Sequence, residues 1–471
     1  MYRTLLVVLC VLLAARAAAA EVVTYPVTPG MPISGDFKVS ADGKPVAVYT
    51  VKTLHGESAS YGSFDFGGQA TVAVHSTRPA AKARILPVSF GLTPAIEGDT
   101  ITFTLDRPRN LTIEVAGIER VLHLFANPME TSRPKPGDPG VIYFGPGVHD
   151  LATLTVSSDT TLYLAGGAVL RGIIPPSEKP IQESNWMHNK VYQNFIQLNG
   201  AKNVRICGRG VVDLGGLPWH ARTAIVLGDA RNVNVEGITF LDAPAWVVAM
   251  FGSRDVRVDN VKEICRRENS DGVDVCNSQN VLVENSFLRN NDDEVCVKTT
   301  APAPAQPSRN ILVRNCVVWN ERARGLGITS ETRRDVSDVT FTDCDVIHDF
   351  SQNGDCAALA ILVSDSGAMR NIRFQNIRVD DVQSLIRCWI GQDMWGHDPQ
   401  RGHVDGVLFK NISVTGPHFP TSALTGCDAT HLIQNVTFDN LRIQGRAIRT
   451  QEEGRISTNP FVKNVLFRDG K

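Results

Sequence analysis

The chain has little of what marks membrane, metal or nucleotide proteins. After residue 20 no apolar run approaches the ~20 residues that a spanning helix needs, so nothing beyond that point is expected to hold the chain in a membrane. Charge of one sign is lacking too. With 47 Lys and Arg against 49 Asp and Glu, the formal charge is -2, and no broad basic face is expected to grip nucleic acid. No two cysteines stand at CxxC spacing, and no Walker lysine, HExxH or GxSxG occurs. Zinc, thiol-redox, nucleotide and serine-hydrolase chemistry are therefore without their usual residues, and no metal or cofactor is expected. Biased tracts are also missing: 43% apolar and 20% charged residues are ordinary for a folded protein. At 471 residues the chain exceeds the ~250 to 300 at which one compact core stops growing, so it needs several domains or a repeat that grows lengthwise.

What is present starts with Arg3, an apolar stretch over residues 5 to 15, and Ala18-Ala19-Ala20. This pattern predicts a cleavable signal peptide over residues 1–20 and a secreted or periplasmic protein. Residues 21–130 carry alternating runs such as PVAVYTV, ATVAVHS and TITFTLD between Gly and Pro turns, which predicts a small β-sandwich that caps the remainder of the chain. The Pro-rich TSRPKPGDPG stretch makes 131–140 a linker.

From residue 203 one phrase recurs, a polar pair followed by alternating apolar residues: NVRICG, NVNVEG, DVRVDN, NVLVEN, NILVRN, DVTFTD, NIRFQN, GVLFKN, NVTFDN and NVLFRD. Nine intervals from Val204 to Val465 average 29 residues, and each copy has the period of two that marks a half-buried strand. Helical periodicity is missing between copies. The prediction is an all-β chain whose residues 141–471 form a right-handed parallel β-helix of about ten or more coils. Asn at the recurring turn reads as structural, because it tolerates a left-handed bend and can stack in a ladder. Nine cysteines lie beyond the signal region, at 207, 265, 276, 296, 316, 344, 356, 388 and 427, and read as small core residues, one to a coil.

Chemistry concentrates between 255 and 298. Asn269-Ser270-Asp271 and Asp292-Asp293 set carboxylates 21 residues apart, about one short coil, and successive coils lie ~4.8 Å apart. Asp271, Asp292 and Asp293 can thus face one cleft, where repulsion lifts one pKa until that group donates a proton. Acid-base glycoside hydrolysis needs this pairing of acid and base. Turn residues of a β-helix are the plain alternative.

NSDGVDVCNSQNV and NNDDEVCVK resemble the NTDG and DD motifs of the polygalacturonase family, glycoside hydrolase family 28, in order and in separation. Asp242-Ala243-Pro244-Ala245-Trp246 is similar to that family's Ser-Pro-x-Trp stretch, and NVRICGRGVVDLGG to its NVxIxGxGxIDGxG coil. The resemblance covers roughly residues 140 to 470. It implies a secreted inverting hydrolase of a polysaccharide or oligosaccharide, with Asp292 as general acid and Asp271 and Asp293 activating water. Asn269, Lys298 and Arg387 would contact a pectin-like galacturonan, and Trp389 and Trp395 would offer faces for sugar rings. Trp246, beside the apolar run WVVAMF, reads instead as packing. The chain departs from the family at Gly325-Leu326-Gly327, where the family has Gly-His-Gly, and at Arg387, one basic residue where the family has Arg-x-Lys. A neutral glycan substrate, a calcium-dependent lyase and a glycan-binding protein without activity stay open beside the hydrolase.

Overall fold

The computed structural model describes residues 21–300, 306–351, 354 and 356–470. The expected signal peptide over 1–20 lies outside the described residues. No helix among them is long and apolar enough to cross a membrane.

Two sheets come first. Glu21–Thr24, Val48–Val51, Ser58–Gly67, Arg84–Leu86, Arg109–Glu114 and Arg120–Pro128 form a six-stranded sheet. Lys44–Val46, Phe37–Ala41, Ala70–Ser76, Thr100–Leu105 and Ala95–Glu97 form a five-stranded one. Alternation decides what they share. In Ala70–Ser76 every second residue is buried, and Val72, Val74, Phe64, Phe66 and Leu124 fill one apolar layer.

From Val141 the chain coils. Strands pair in parallel with their counterparts one turn later, for instance Val204 with Val233, Val233 with Val256 and Val256 with Val281, and Asn, Asp or Gly turns join them into a parallel β-helix. One face is an eleven-stranded sheet running from Leu154–Thr155 to Ile456–Thr458. The leading Asn of each recurring phrase bends the chain into the left-handed region, at φ 57° for Asn203, 54° for Asn232, 56° for Asn280 and 55° for Asn310. Their side chains stack from coil to coil: Asn232 Nδ2 donates to Asn203 Oδ1 at 2.9 Å, and Asn310 Nδ2 to Asn280 Oδ1 at 2.8 Å. Inside the later coils Phe341, Phe374, Phe409, Phe438 and Phe467 stack with centroids 4.9 to 5.2 Å apart.

The sandwich differs from the expected cap in where it packs. It lies along the flank of the helix, where Tyr61, Val121 and Phe125 meet Leu241, Ile264, Phe287, Val317, Trp319 and Ile347 from successive coils. Buried polar groups tie the two together. Arg289, 1% exposed, donates to Glu321 Oε1 at 2.7 Å and to the His55 carbonyl at 2.8 Å, and its guanidinium lies 3.9 Å from the centre of the Trp319 ring. Lys262 Nζ donates to Asn127 Oδ1 at 2.5 Å. A flank of apolar side chains on the coils needed cover, and the sandwich supplies it.

All nine described cysteines are free, eight of them buried, consistent with small core or sheet-face residues.

Candidate active site

Asp271 and Asp293 occupy equivalent positions on neighbouring coils. Val273 pairs with Val295 in the eleven-stranded sheet, and just before those strands Gly272 N donates to the Asp293 carbonyl at 2.8 Å. Asp292 precedes Asp293 in the same turn. One oxygen from each of Asp271, Asp292 and Asp293 lies within 4.8 Å of the other two. Trp246, Asn269, Lys298, Arg324, Thr329, Ser330, Glu331 and Trp395 complete the recess.

Two cations compensate this concentration of acid. Lys298 Nζ lies 2.7 Å from Asp271 Oδ2, 2.9 Å from Asp274 Oδ1 and 3.8 Å from Glu331 Oε2, and stands 4.2 Å from the centre of the Trp246 ring. Arg324 Nη1 lies 3.1 Å from Asp293 Oδ1 and 3.6 Å from Asp292 Oδ1. Burial alone would lower the Lys298 pKa, but Asp271 and Asp274 outweigh it and hold the ammonium charged. Burial likewise disfavours the Arg324 charge, and Asp293 and Asp292 overcome it.

The carboxyls respond differently to this setting. Asp292 is pushed up to about 8, first by removal from water and then by the charges of Asp271 and Asp293, against the opposing pull of Arg324 and Lys298. A fifth of its side chain, 21%, stays open to the recess, so this acid can reach a ligand. Asp271, only 3% exposed, is also raised, by burial and then by Asp274 and Asp293, with Lys298 opposing. Asp274 is pushed up to about 6 by burial, while Lys298 and the Cys296 thiol, donating to Oδ1 at 3.0 Å, hold it down. A cluster coupled this tightly takes up and releases protons as a unit.

Beneath the two acid-bearing turns lies a fully buried hub. Asn290 Nδ2 donates to Glu263 Oε2 at 2.7 Å and to Glu294 Oε2 at 2.9 Å, while Asn290 N donates to Glu294 Oε1 at 2.9 Å. Burial pushes Glu263 up to about 8 and raises Glu294 as well. The bonds between Asn290 and Glu294 close the turn that carries Asp292 and Asp293.

The sequence-derived residues divide into two groups. Asp271, Asp292, Asp293, Asn269, Lys298 and Trp395 come together in the recess. Asn269, at φ 59°, meets His220 Nε2 through its Oδ1 at 3.1 Å. Trp395 is positioned by Asp393, which accepts from the Trp395 amide at 2.9 Å and from Ser330 Oγ at 2.8 Å. Arg387 and Trp389 stand elsewhere. Arg387 comes after Cys296, Gly327 and Ala360 in register, three coils or roughly 14 Å along the sheet, and donates to Thr425 Oγ1 at 3.2 Å. Trp389 packs under its own strand's exit, where a Cβ on Gly391 would approach its Cζ2 at 2.2 Å.

Three further residues have places the sequence pattern did not reveal. Trp246 lines the recess instead of packing in the core. Leu326, aligned with the family histidine, pairs with Val295 and Leu359 and is fully buried among core residues, so it faces away from the acids. Arg324, two residues earlier, makes the contact to the aspartate pair. It opens the strand Arg324–Thr332 two residues before Leu326, as Asp293 stands two before Val295, so the register sets it one coil on from Asp293.

A parallel β-helix with three convergent carboxyls, one proton-bearing and open to a recess walled by indoles, defines a carbohydrate-cleaving enzyme of the glycoside hydrolase class. The signature of "Glycosyl hydrolases family 28" matches residues 149–460, and the chain belongs to that family. It is 23% identical over 301 residues to a protein of Aspergillus flavus named "Probable exopolygalacturonase B", covering 56% of this chain and 68% of that one. It is 24% identical over 324 residues to "Exopolygalacturonase" of Cochliobolus carbonum, covering 58% and 70%. Among solved structures, the hyperthermoactive exopolygalacturonase of Thermotoga maritima shares the fold with a TM-score of 0.54 at 20% identity, over 70% of this chain and 83% of that one. Dex49A from Penicillium minioluteum shares it with a TM-score of 0.62 at 14% identity, over 94% and 96%. That breadth takes in the sandwich sheets as well as the coils.

Proposed function

We propose that this glycoside hydrolase cleaves a galacturonan-type polysaccharide outside the cytoplasm, by single displacement with inversion. The observation that carries the reading is Asp292, an acid held protonated near neutral pH at the open side of a carboxyl trio. Asp292 gives its proton to the glycosidic oxygen as the bond breaks, while Asp271 and Asp293 hold a water and take its proton as it attacks the anomeric carbon. The Lys298 ammonium, 2.7 Å from Asp271 Oδ2, favours the ionised form of Asp271 that this task needs. Lys298 and Arg324 keep three acids together that would otherwise repel one another. The names of the fungal relatives support galacturonan as the polymer, and the Ala-rich cleavage pattern before residue 21 supports export.

The spacing bears on stereochemistry. Two-carboxyl inverting sites commonly leave ~6.5 to 9.5 Å between the groups to admit water. Here one oxygen from each of the three lies within 4.8 Å of the other two, and in the proposed reaction the water is held by Asp271 and Asp293 while Asp292 faces the leaving oxygen. Proton NMR of the first anomer released tests this. Inversion is expected; a first product of retained configuration would overturn the mechanism. Release of reducing ends without an ultraviolet-absorbing unsaturated product separates hydrolysis from elimination.

A further inference from the structure

We propose that the sugar ring seated in the recess is uncharged: the enzyme acts where a galacturonan chain presents a neutral, esterified or carboxyl-free residue at the cleavage position. This rests on the polymer class proposed for the site and narrows which unit of it enters.

The argument is one of charge. Four acids line the recess, Asp271, Asp292, Asp293 and Glu331, and among the described lining residues the only cations are Lys298 and Arg324. Both are committed. Lys298 is shared by Asp271 and Asp274 at 2.7 and 2.9 Å, and Arg324 bridges Asp293 and Asp292 at 3.1 and 3.6 Å. A uronate carboxylate entering here finds both of these cations already paired in a site largely shielded from water, and pairing it means taking one of them from the acids.

Among the described residues, the rows of that sheet face directly beside the recess supply no substitute. On the sheet face that carries Asp274 and Lys298, the preceding coil presents Ala249 and Phe251. The later coils present Gly327, then Ala360 and Leu362. Ala360 and Leu362 are at most 1% exposed, so that stretch is already covered. What the recess offers a ring is the indole of Trp395, which suits the apolar face of a pyranose, whereas Trp246 carries the Lys298 ammonium over its ring. Beyond it the surroundings change: Arg322 on the rim is half exposed beside Glu268, so the restriction applies to the ring in the recess and not to the chain outside.

The experiment compares hydrolysis of oligogalacturonate as free acid, as methyl ester and after carboxyl reduction, by the full chain at pH 6. The expected result is a kcat/KM at least about tenfold higher for the two uncharged forms, as a site without a partner for a charge rejects it. Glu331→Gln, which removes one negative charge, should narrow that preference by about threefold or more. Equal or faster cleavage of the free acid overturns the proposal while leaving the galacturonan reading standing. Cleavage of a neutral α-glucan but of none of the three removes galacturonan and upholds the uncharged ring. Should no polymer be cleaved, calorimetry on Asp292→Asn decides: methyl galactoside binding more tightly than galacturonate upholds the proposal, and equal or weaker binding overturns it.

Discussion

Gly272 lies so close to Glu263 that a Cβ on it would approach Glu263 Oε2 at 2.6 Å and Asn290 Nδ2 at 2.7 Å. The residue after Asp271 is thus pressed onto the hydrogen bond that braces the turn holding Asp292 and Asp293. Spacing between Asp271 and Asp293 is set from below, by a hub of buried acids and an amide. Gly272→Ala should lower kcat by about tenfold or more with the substrate KM little changed, since a ~1 Å misplacement of catalytic groups is costly. Glu263→Gln keeps the shape and should stay near wild type, while Glu263→Leu should behave like Gly272→Ala. Steady-state kinetics on variants with cooperative melts checks both; equal rates for Gln and Leu would show that the bond to Asn290 does not matter.

Asp292→Asn should cost about 100-fold to 10,000-fold in kcat, the usual worth of a general acid, with glycan binding retained. For the wild type, activity should fall as pH rises through about 8, where Asp292 loses its proton. A pH profile flat to about pH 10 would remove Asp292 from the role.

The same group has a stability signature. Because its folded pKa is raised, Asp292 favours the fold most below the unfolded carboxyl value of ~3.9, and that contribution is lost as pH climbs toward about 8. Asparagine does not ionise. The melting temperature of Asp292→Asn relative to wild type should therefore rise between about pH 4 and pH 8 and then level off, which calorimetry across that range can read.

Lys298→Met should destabilise by about 3 to 5 kcal/mol, because Asp271 and Asp274 are left buried without their ammonium. Adding Asp274→Asn should recover part of the loss. Denaturant melts of the single and double variants measure the coupling, and strictly additive effects would contradict a shared ion pair.

Much of this was legible in the sequence because a β-helix writes its period into the chain. The recurring Asn-led phrase located the coils, and a 21-residue separation was enough to bring Asp271 against the Asp292-Asp293 turn. Legibility ended where register between coils decides position. Arg324 reads as a polar residue opening a Gly-rich strand, yet it stands one coil on from Asp293 and its guanidinium reaches the aspartate pair. Leu326 sits at the aligned position of a histidine but obeys the strand's alternation and points into the core. Trp246 lies next to an apolar run and still faces out, since it precedes the buried Val247 by one residue. Arg387 shows the opposite failure: a motif match that lands three coils from the acids, because loops of unequal length separate the copies.

The asparagine and phenylalanine stacks turn the molecule into a graduated rule. Each mark is one sheet spacing of ~4.8 Å, fixed by backbone and ladder and indifferent to what projects from the outer face. A polymer laid along that rule reads a fresh row of side chains at every step, so recognition can be rewritten one row at a time. Exchanging the row that holds Arg387 and Trp389, which is part exposed, would alter which chain units are accepted without disturbing the hydrogen bonds beneath Asp271 and Asp293.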